Sequence, residues 1–343
     1  MKQVIELANE TPAWNTFLAT HEHFIFHTPQ FMQFLQKTFA QKVLYLAVVD
    51  EHWAISLLFP SVLVQHPLFG KKIISLGYVE YGGFAGEKED VPVIVDYLKE
   101  KYAGIVSSLE IRQGLEEFDA TLSSTLSATS PYKRFLLPLR SADSVWQGIQ
   151  KHKRKAIKKA EEDGVVVREL TMEDIDLLYA LYLRTMRSFG SPPYGKHFFS
   201  HFMSLGMGKI FGAFLGNKLI AGLVGYCYRK RIHIIISVSD DTYLINRPND
   251  AVHWAFIKYG YDNGYTMFDF GRTREGSGQH EYKAKFGAVM YPLHHYYLLF
   301  RGKDIPHLDP TDYKMKLVSA AWKYLPLSLT ARYGHWLREG LGI

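Results

Sequence analysis

The sequence predicts an α/β (α+β) fold of two similar units in tandem, each with a mixed central sheet flanked by helices. Three observations carry this expectation. The chain has 343 residues, room for roughly two domains of about 150 residues each. Hydrophobic residues make up 47% and charged residues 22%, enough apolar material for sizeable cores and too much for a disordered chain. The order of its apolar runs also repeats, with an offset of about 160 positions between the halves.

In the first half, Val43 to Val49 and Ala54 to Val64 are β-rich runs around the polar turn Asp50-Glu51. They read as a hairpin. Lys72 to Leu76 follows as a strand, Val91 to Tyr102 as a helix and Ser107 to Ile111 as a further strand. In the second half, Ile210 to Leu215 and Leu219 to Tyr228 flank Gly216-Asn217-Lys218 as the matching hairpin. Then come Ile232 to Val238, a helical stretch Asp250 to Asp262 ending at Asn263-Gly264, and the run Thr266 to Phe270. A strand, a crossover helix and a strand that pairs alongside give a mixed sheet. Between the halves, Trp146, Ile149, Ala156, Ile157 and Ala160 form an apolar stripe in a helix stopped by Asp163-Gly164, which opens the second unit. The expected units are 1–142 and 143–300, with the C-terminal segment 301–343 packed on the first.

Lys+Arg exceed Asp+Glu by 40 to 34, a mild bias toward an anionic partner. The single Cys227 excludes an internal disulfide framework and four-cysteine zinc, and fits a reducing compartment. Met1 to Glu10 lacks the basic start and apolar run of an export signal, and no stretch approaches the roughly 18 apolar residues of a spanning helix. The expected location is the cytoplasm, at the inner face of the membrane if the C-terminal segment touches it. That segment, Tyr313 to Arg338, mixes Lys314, Lys316, Lys323, Arg332 and Arg338 with Trp322, Tyr324, Leu327, Tyr333 and Trp336, the composition of a membrane-surface helix. Pro326 interrupts it and favours the plainer reading of terminal helices packed on the body.

The order of elements is that of the GNAT acyltransferase unit. Phe26-His27-Thr28-Pro29, His66 to Gly70, Ser75 to Gly83, Lys153 to Val167, Ser188 to Pro192 and above all Phe268 to Gly287 sharpen the likeness. In these stretches the chain resembles the Fem family of peptidoglycan-bridge aminoacyltransferases and their relatives in polysaccharide clusters, which carry two GNAT-like units. The resemblance implies a metal-free acyltransferase with no tightly bound cofactor. It would move an aminoacyl or acyl group from aminoacyl-tRNA or acyl-CoA to an amine of a cell-envelope or polysaccharide precursor. The implied partners are an anionic donor and that acceptor, with no DNA. Two alternatives stand beside it: a GNAT enzyme using an acyl-CoA or acyl-carrier thioester, and a non-catalytic binding module that kept the fold.

A pyrophosphate-binding loop needs glycines so that backbone N–H groups at a helix N-terminus can cradle the anion. Ser239 to Asp250 contains none; Asp240, Asp241 and Asp250 repel phosphate, and Arg247 is its one cation. Coenzyme A is therefore disfavoured there. The cluster around Lys153, Arg154 and Lys158 reads either as a phosphate contact or as the solvated face of an amphipathic helix. Asp269 and Arg272, at the carboxyl end of a strand before a glycine-bearing loop, read either as functional groups, with Asp269 the nominal base, or as a structural pair. By resemblance, Lys283 fills the family's lysine position, where an ammonium could stabilise an oxyanion or contact the donor's phosphate. Tyr194 and Asn249 take positions that relatives using nucleotide-linked precursors fill differently, and suit hydrogen bonds to a sugar or amide. His197 and His201 have helical i, i+4 spacing, but Phe198 stands where a zincin needs glutamate. No metal site is expected, and no GxSxG elbow or P-loop occurs. Cys227 reads as a buried inert thiol.

Overall fold

The computed structural model describes residues 2–302, 305 and 313–342. The chain divides into two compact units: Met1–Pro131, Pro292–His307 and Arg338–Ile343 form the first, and Tyr132–Tyr291 with Leu308–Leu337 the second.

The first unit contains β1 (Gln3–Glu6), β2 (Lys42–Val49), β3 (Ile55–His66), β4 (Gly70–Ile74), the two-residue β5 (Ala85–Gly86) and β6 (Ser108–Arg112). The expected hairpin is β2 with β3, and β4 pairs antiparallel with β3. β6 then pairs parallel with β4, the helix Val91–Tyr102 supplying the crossover that parallel pairing requires. β2 and β3 are buried along most of their length, which is why they read as continuous apolar runs instead of alternating ones. Two helices start at Thr-Pro steps: the hydroxyls of Thr11 and Thr28 accept from the N–H groups of Trp14 and Phe31, and Pro12 and Pro29 open the first turns.

The remaining strands are β7 (Ser127–Pro138), β8 (Val165–Glu169), β9 (Gly208–Leu215), β10 (Lys218–Tyr228), β11 (Arg231–Ser239), β12 (Met267–Thr273) and β13 (Val289–Leu299). In the second unit β9, β10 and β11 are antiparallel neighbours and β11 pairs parallel with β12. The ladder antiparallel, antiparallel, parallel thus occurs in both units, and the tandem repeat expected from sequence is present. The helices Lys151–Glu162 and Pro248–Asp262 pack on this sheet through Ile157, Ala160, Val252, Phe256 and Ile257, against Phe211, Ile220 and Phe268 of the strands.

The unit boundaries differ from those expected. Residues 133–138 of β7 pair with β12, so the second unit begins at Tyr132 and not at 143. From His295 to Leu299, β13 pairs with β6, which assigns its later part to the first unit. The C-terminal segment also divides. Arg338–Ile343 goes with the first unit, where Lys72 donates to the Leu341 carbonyl at 2.9 Å and the Tyr78 hydroxyl to the Glu339 carbonyl at 3.1 Å. Most of the helices Tyr313–Tyr324 and Leu327–Leu341 instead belong to the second unit. Arg187 reaches the Leu325 carbonyl, and Gly334 lies so close to Pro193 that an added Cβ would come within 2.2 Å of its ring. No helix among the described residues is long and apolar enough to cross a membrane.

Candidate active site

In the second unit β11 and β12 pair from Arg231 opposite Met267 to His233 opposite Asp269, and then part. Each carries a bulge at this point. On β11 the register with β10 passes from Ile234–Gly225 to Ile236–Val224, leaving Ile235 as the extra residue. On β12 the register with β7 jumps between Asp269 and Arg272, so Phe270 and Gly271 oppose Phe135 alone. A bulge leaves backbone groups unpaired and sharpens the local twist. Two of them here open the sheet between adjacent parallel strands, at the carboxyl end where ligands of open α/β sheets bind.

The β12 bulge is held by side chains. Gly271 has φ +72°, a conformation that costs glycine little. Its N–H donates to Asp269 Oδ1 at 2.9 Å, and its carbonyl accepts from Lys283 Nζ at 2.9 Å, with the Arg272 carbonyl accepting at 2.8 Å. Lys283 sits in the short helix Gly278–Ala284, which Ser277 caps by accepting from the His280 N–H. The ammonium is buried and spans the two carbonyls. Asp269 is fully buried, 3.7 Å from the Arg231 guanidinium, and that site suits holding the bulge far better than exchanging protons with a substrate. The Arg272 guanidinium lies over the ring of Tyr132.

Beside the bulge is a buried polar cluster. Lys153 pairs with Asp250 in the first turn of Pro248–Asp262, and its ammonium stands 3.6 Å from the centre of the Tyr282 ring. The Tyr282 hydroxyl lies 3.3 Å from His253 Nδ1, which also meets the Asn249 carbonyl at 2.8 Å. Burial, together with the charges of Lys153 and Lys283, lowers the His253 pKa to about 3, so the imidazole is neutral. Asn249 donates to the Ser239 hydroxyl at 3.0 Å, tying the end of β11 to the start of the helix.

Lys283, Asp269, Lys153 and Asn249 are therefore in or beside one region, with Arg247 exposed at the helix start in a left-handed conformation, φ +56°. His253, Tyr282 and Asp250 belong to the same cluster and carried no sequence signal as site residues: Tyr282 meets His253 across 29 positions of the chain and Asp250 meets Lys153 across 97. Other candidates lie apart from it. Arg154 folds back onto the carbonyls of Trp146 and Gln147, and Lys158 is exposed. Tyr194 is buried, its ring stacked on Phe198 at 4.3 Å, so it packs a core where a sugar contact was expected. Lys153, expected on a phosphate, has its charge met by Asp250. Cys227 is partly buried, its thiol pushed up to about 12 by desolvation. Among the described residues no group of three or more His, Cys, Asp or Glu is arranged to hold a metal.

Residues 149–284 match the model of the acetyltransferase (GNAT) domain. No curated protein matches the chain. Among solved structures, FemX is 12% identical, with a TM-score of 0.67 over 85% of this chain and 96% of its own. The chain has a Fem-like tandem GNAT fold. A tandem GNAT protein of the clavulanic acid biosynthesis pathway (10% identical, TM-score 0.58, 89% of this chain and 100% of that one) is similar to it. So is L-PGS from Bacillus licheniformis (12%, TM-score 0.57, 93% and 100%). The GNAT domain match covers the parting of β11 and β12, the Lys153–Asp250 pair and Lys283, and supports an acyltransferase.

In this GNAT unit the loop from β11 to the helix Pro248–Asp262 is poorly suited to a pyrophosphate. Asp240 accepts from the Thr242 N–H and pairs with Lys218. The N–H groups of Tyr243, Arg247, Asp250 and Ala251 are bonded within the loop, and Pro248 has none. Arg247 is the cation left to meet an anionic donor.

Proposed function

We propose that the protein is a Fem-like N-acyltransferase whose reaction takes place where β11 and β12 part in the second unit. The observation that carries this reading is the pair of bulges at that point, with the β12 bulge clamped by Asp269 and Lys283. The substrates are an acyl or aminoacyl group on an ester or thioester, and a primary amine of a cell-envelope or polysaccharide precursor. The neutral amine nitrogen attacks the carbonyl carbon and forms the C–N bond. The resulting oxyanion needs donors aimed at it, and backbone N–H groups beside a bulge suit that role. Collapse breaks the bond to the leaving oxygen or sulfur, which takes up a proton while the amine releases one to water or a substrate group. Lys283 and Asp269 act as positioning residues in this scheme, fixing the β12 edge. Asn249 and Arg247 line the donor side. In the first reading the group is aminoacyl and the donor an aminoacyl-tRNA, as the resemblance of Phe268 to Gly287 to the Fem family implies. The GNAT domain match favours a second reading, in which the donor is an acyl-CoA or acyl-carrier thioester.

The test is a donor panel of acetyl-CoA, longer acyl-CoAs and aminoacyl-tRNAs, each with amino-sugar and peptide-amine acceptors, read by mass spectrometry of the acylated product. Transfer from aminoacyl-tRNA supports the first reading. Transfer from a thioester with aminoacyl-tRNA inert selects the second. Failure of every donor to bind or to be turned over overturns both.

A further inference from the structure

The helices Tyr313–Tyr324 and Leu327–Leu341 have an inner face that meets the body of the second unit and an outer face that does not. On the inner face Trp322, Thr330 and Gly334 are buried, Gly334 abuts Pro193, and the Ser319 hydroxyl donates to the Phe189 carbonyl. The outer face of the second helix carries Leu329, Tyr333 and Trp336 at i, i+4 and i+7, all exposed, with Arg332 over the Tyr333 ring. On the first helix Leu317, Val318 and Tyr324 are exposed, Tyr324 at 89%, and exposed Phe189 adjoins them through the Ser319 contact. Scattered apolar side chains on a surface need no explanation, whereas this many on two consecutive short helices do.

What covers this face is argued from its charge. From Tyr313 to Arg338 the sequence has five cations, Lys314, Lys316, Lys323, Arg332 and Arg338, and no Asp or Glu. Lys316, Lys323 and Arg332 are exposed among the apolar groups. A second copy of the same face would bring like charges together, and an apolar ligand would leave the cations without partners. A bilayer with anionic headgroups meets both demands: acyl chains for Leu and Val, the interface for Trp and Tyr, phosphates for Lys and Arg. We propose that the outer face of these two helices is a peripheral docking surface for an anionic lipid bilayer. It depends on no step of acyl transfer and stands or falls separately from that reading.

The test is flotation of the full chain with vesicles of phosphatidylcholine alone and of phosphatidylcholine with phosphatidylglycerol, at low and high salt. Two variants accompany it: Lys316→Gln with Lys323→Gln and Arg332→Gln, and Leu329→Glu with Tyr333→Glu. All five side chains are exposed, and thermal melting checks that both variants remain folded. The wild type should float with the anionic vesicles, less so at high salt. The charge variant should lose on the order of a hundredfold in partitioning, at about one kcal/mol per cation, and the apolar variant should lose binding to both vesicle types. Equal binding to neutral and anionic vesicles, or unchanged binding in both variants, overturns the proposal. So does a dimer by light scattering that the Leu329→Glu, Tyr333→Glu variant dissociates, because a second copy then covers the face.

Discussion

The Lys153–Asp250 pair gives the sharpest test of the site's architecture. Its side chains are 9% and 6% exposed, and the ammonium also stands 3.6 Å from the centre of the Tyr282 ring. Removing one partner of such a pair strands a buried charge, at a cost of about 3–5 kcal/mol. Lys153→Met also gives up the ring contact, worth about 1–2 kcal/mol in a desolvated setting, so it should cost about 4 kcal/mol or more and Asp250→Asn about 3. The double variant leaves no buried charge. It should recover at least about 2 kcal/mol of the summed losses, the coupling expected of residues in direct contact. Urea denaturation of the four proteins measures the cycle, and thermal melting should show each single variant lower by about 10 °C, taking roughly 2–4 °C per kcal/mol for a unit of this size. Single losses below about 1 kcal/mol, or losses that add to within about 0.5, would refute the buried pair and return Lys153 to the surface cluster as a phosphate contact.

Three further outcomes follow from the same geometry. Lys283→Met strips two buried carbonyls of charge-assisted donors and should cost about 3 kcal/mol as well as most transfer activity; Lys285→Met, at a partly exposed position, should leave melting and turnover within a small factor, and equal behaviour of the two would remove the clamp from the account. Stability should fall as pH drops below the ordinary histidine value of 6.5, because His27 and His253 are both lowered to about 3 by burial and the unfolded chain then binds protons that the native one does not; denaturant midpoints at pH 7 and pH 5 check this, with a slope of up to about 1.4 kcal/mol per pH unit per histidine, and a flat profile contradicts it. The Cys227 thiol should react slowly with a disulfide reagent at pH 8 in native protein and rapidly in urea, since its pKa is pushed up to about 12; labelling at the rate of a free thiol would disprove its protection.

How far the sequence discloses this structure depends on where each residue's partner sits. β2, β3, β10 and β11 are legible because burial leaves runs such as Leu44 to Val49 without polar interruption. β8 is not: Val165–Glu169 is five residues long, Val166 is 63% exposed, and among the described residues the strand pairs with β9 alone, at the edge of the sheet. β7 begins as the polar Ser127 to Ser130, and its place in the second unit is fixed by pairing with β12, far along the chain. The site divides along the same line. Lys283 and Asp269 stand in a stretch dense with glycine and charge, so they draw notice, yet what they do is fixed by Gly271, whose φ and carbonyl no motif discloses. Lys153 reads as one cation of the cluster with Arg154 and Lys158 because Asp250 lies 97 positions away, and burial of that pair is what turns a surface cluster into an internal brace. His253, in the midst of an apolar helix, has nothing to distinguish it until Tyr282 and the Asn249 carbonyl are seen on its Nδ1. The parting of β11 from β12 follows from two bulges; a glycine at 271 permits the one on β12 without disclosing its geometry, and at Ile235 three consecutive isoleucines hide the extra residue completely. The groups nearest the proposed chemistry are thus backbone atoms, whose positions are decided by register, and the charged residues visible in the sequence are the braces that keep that register in place.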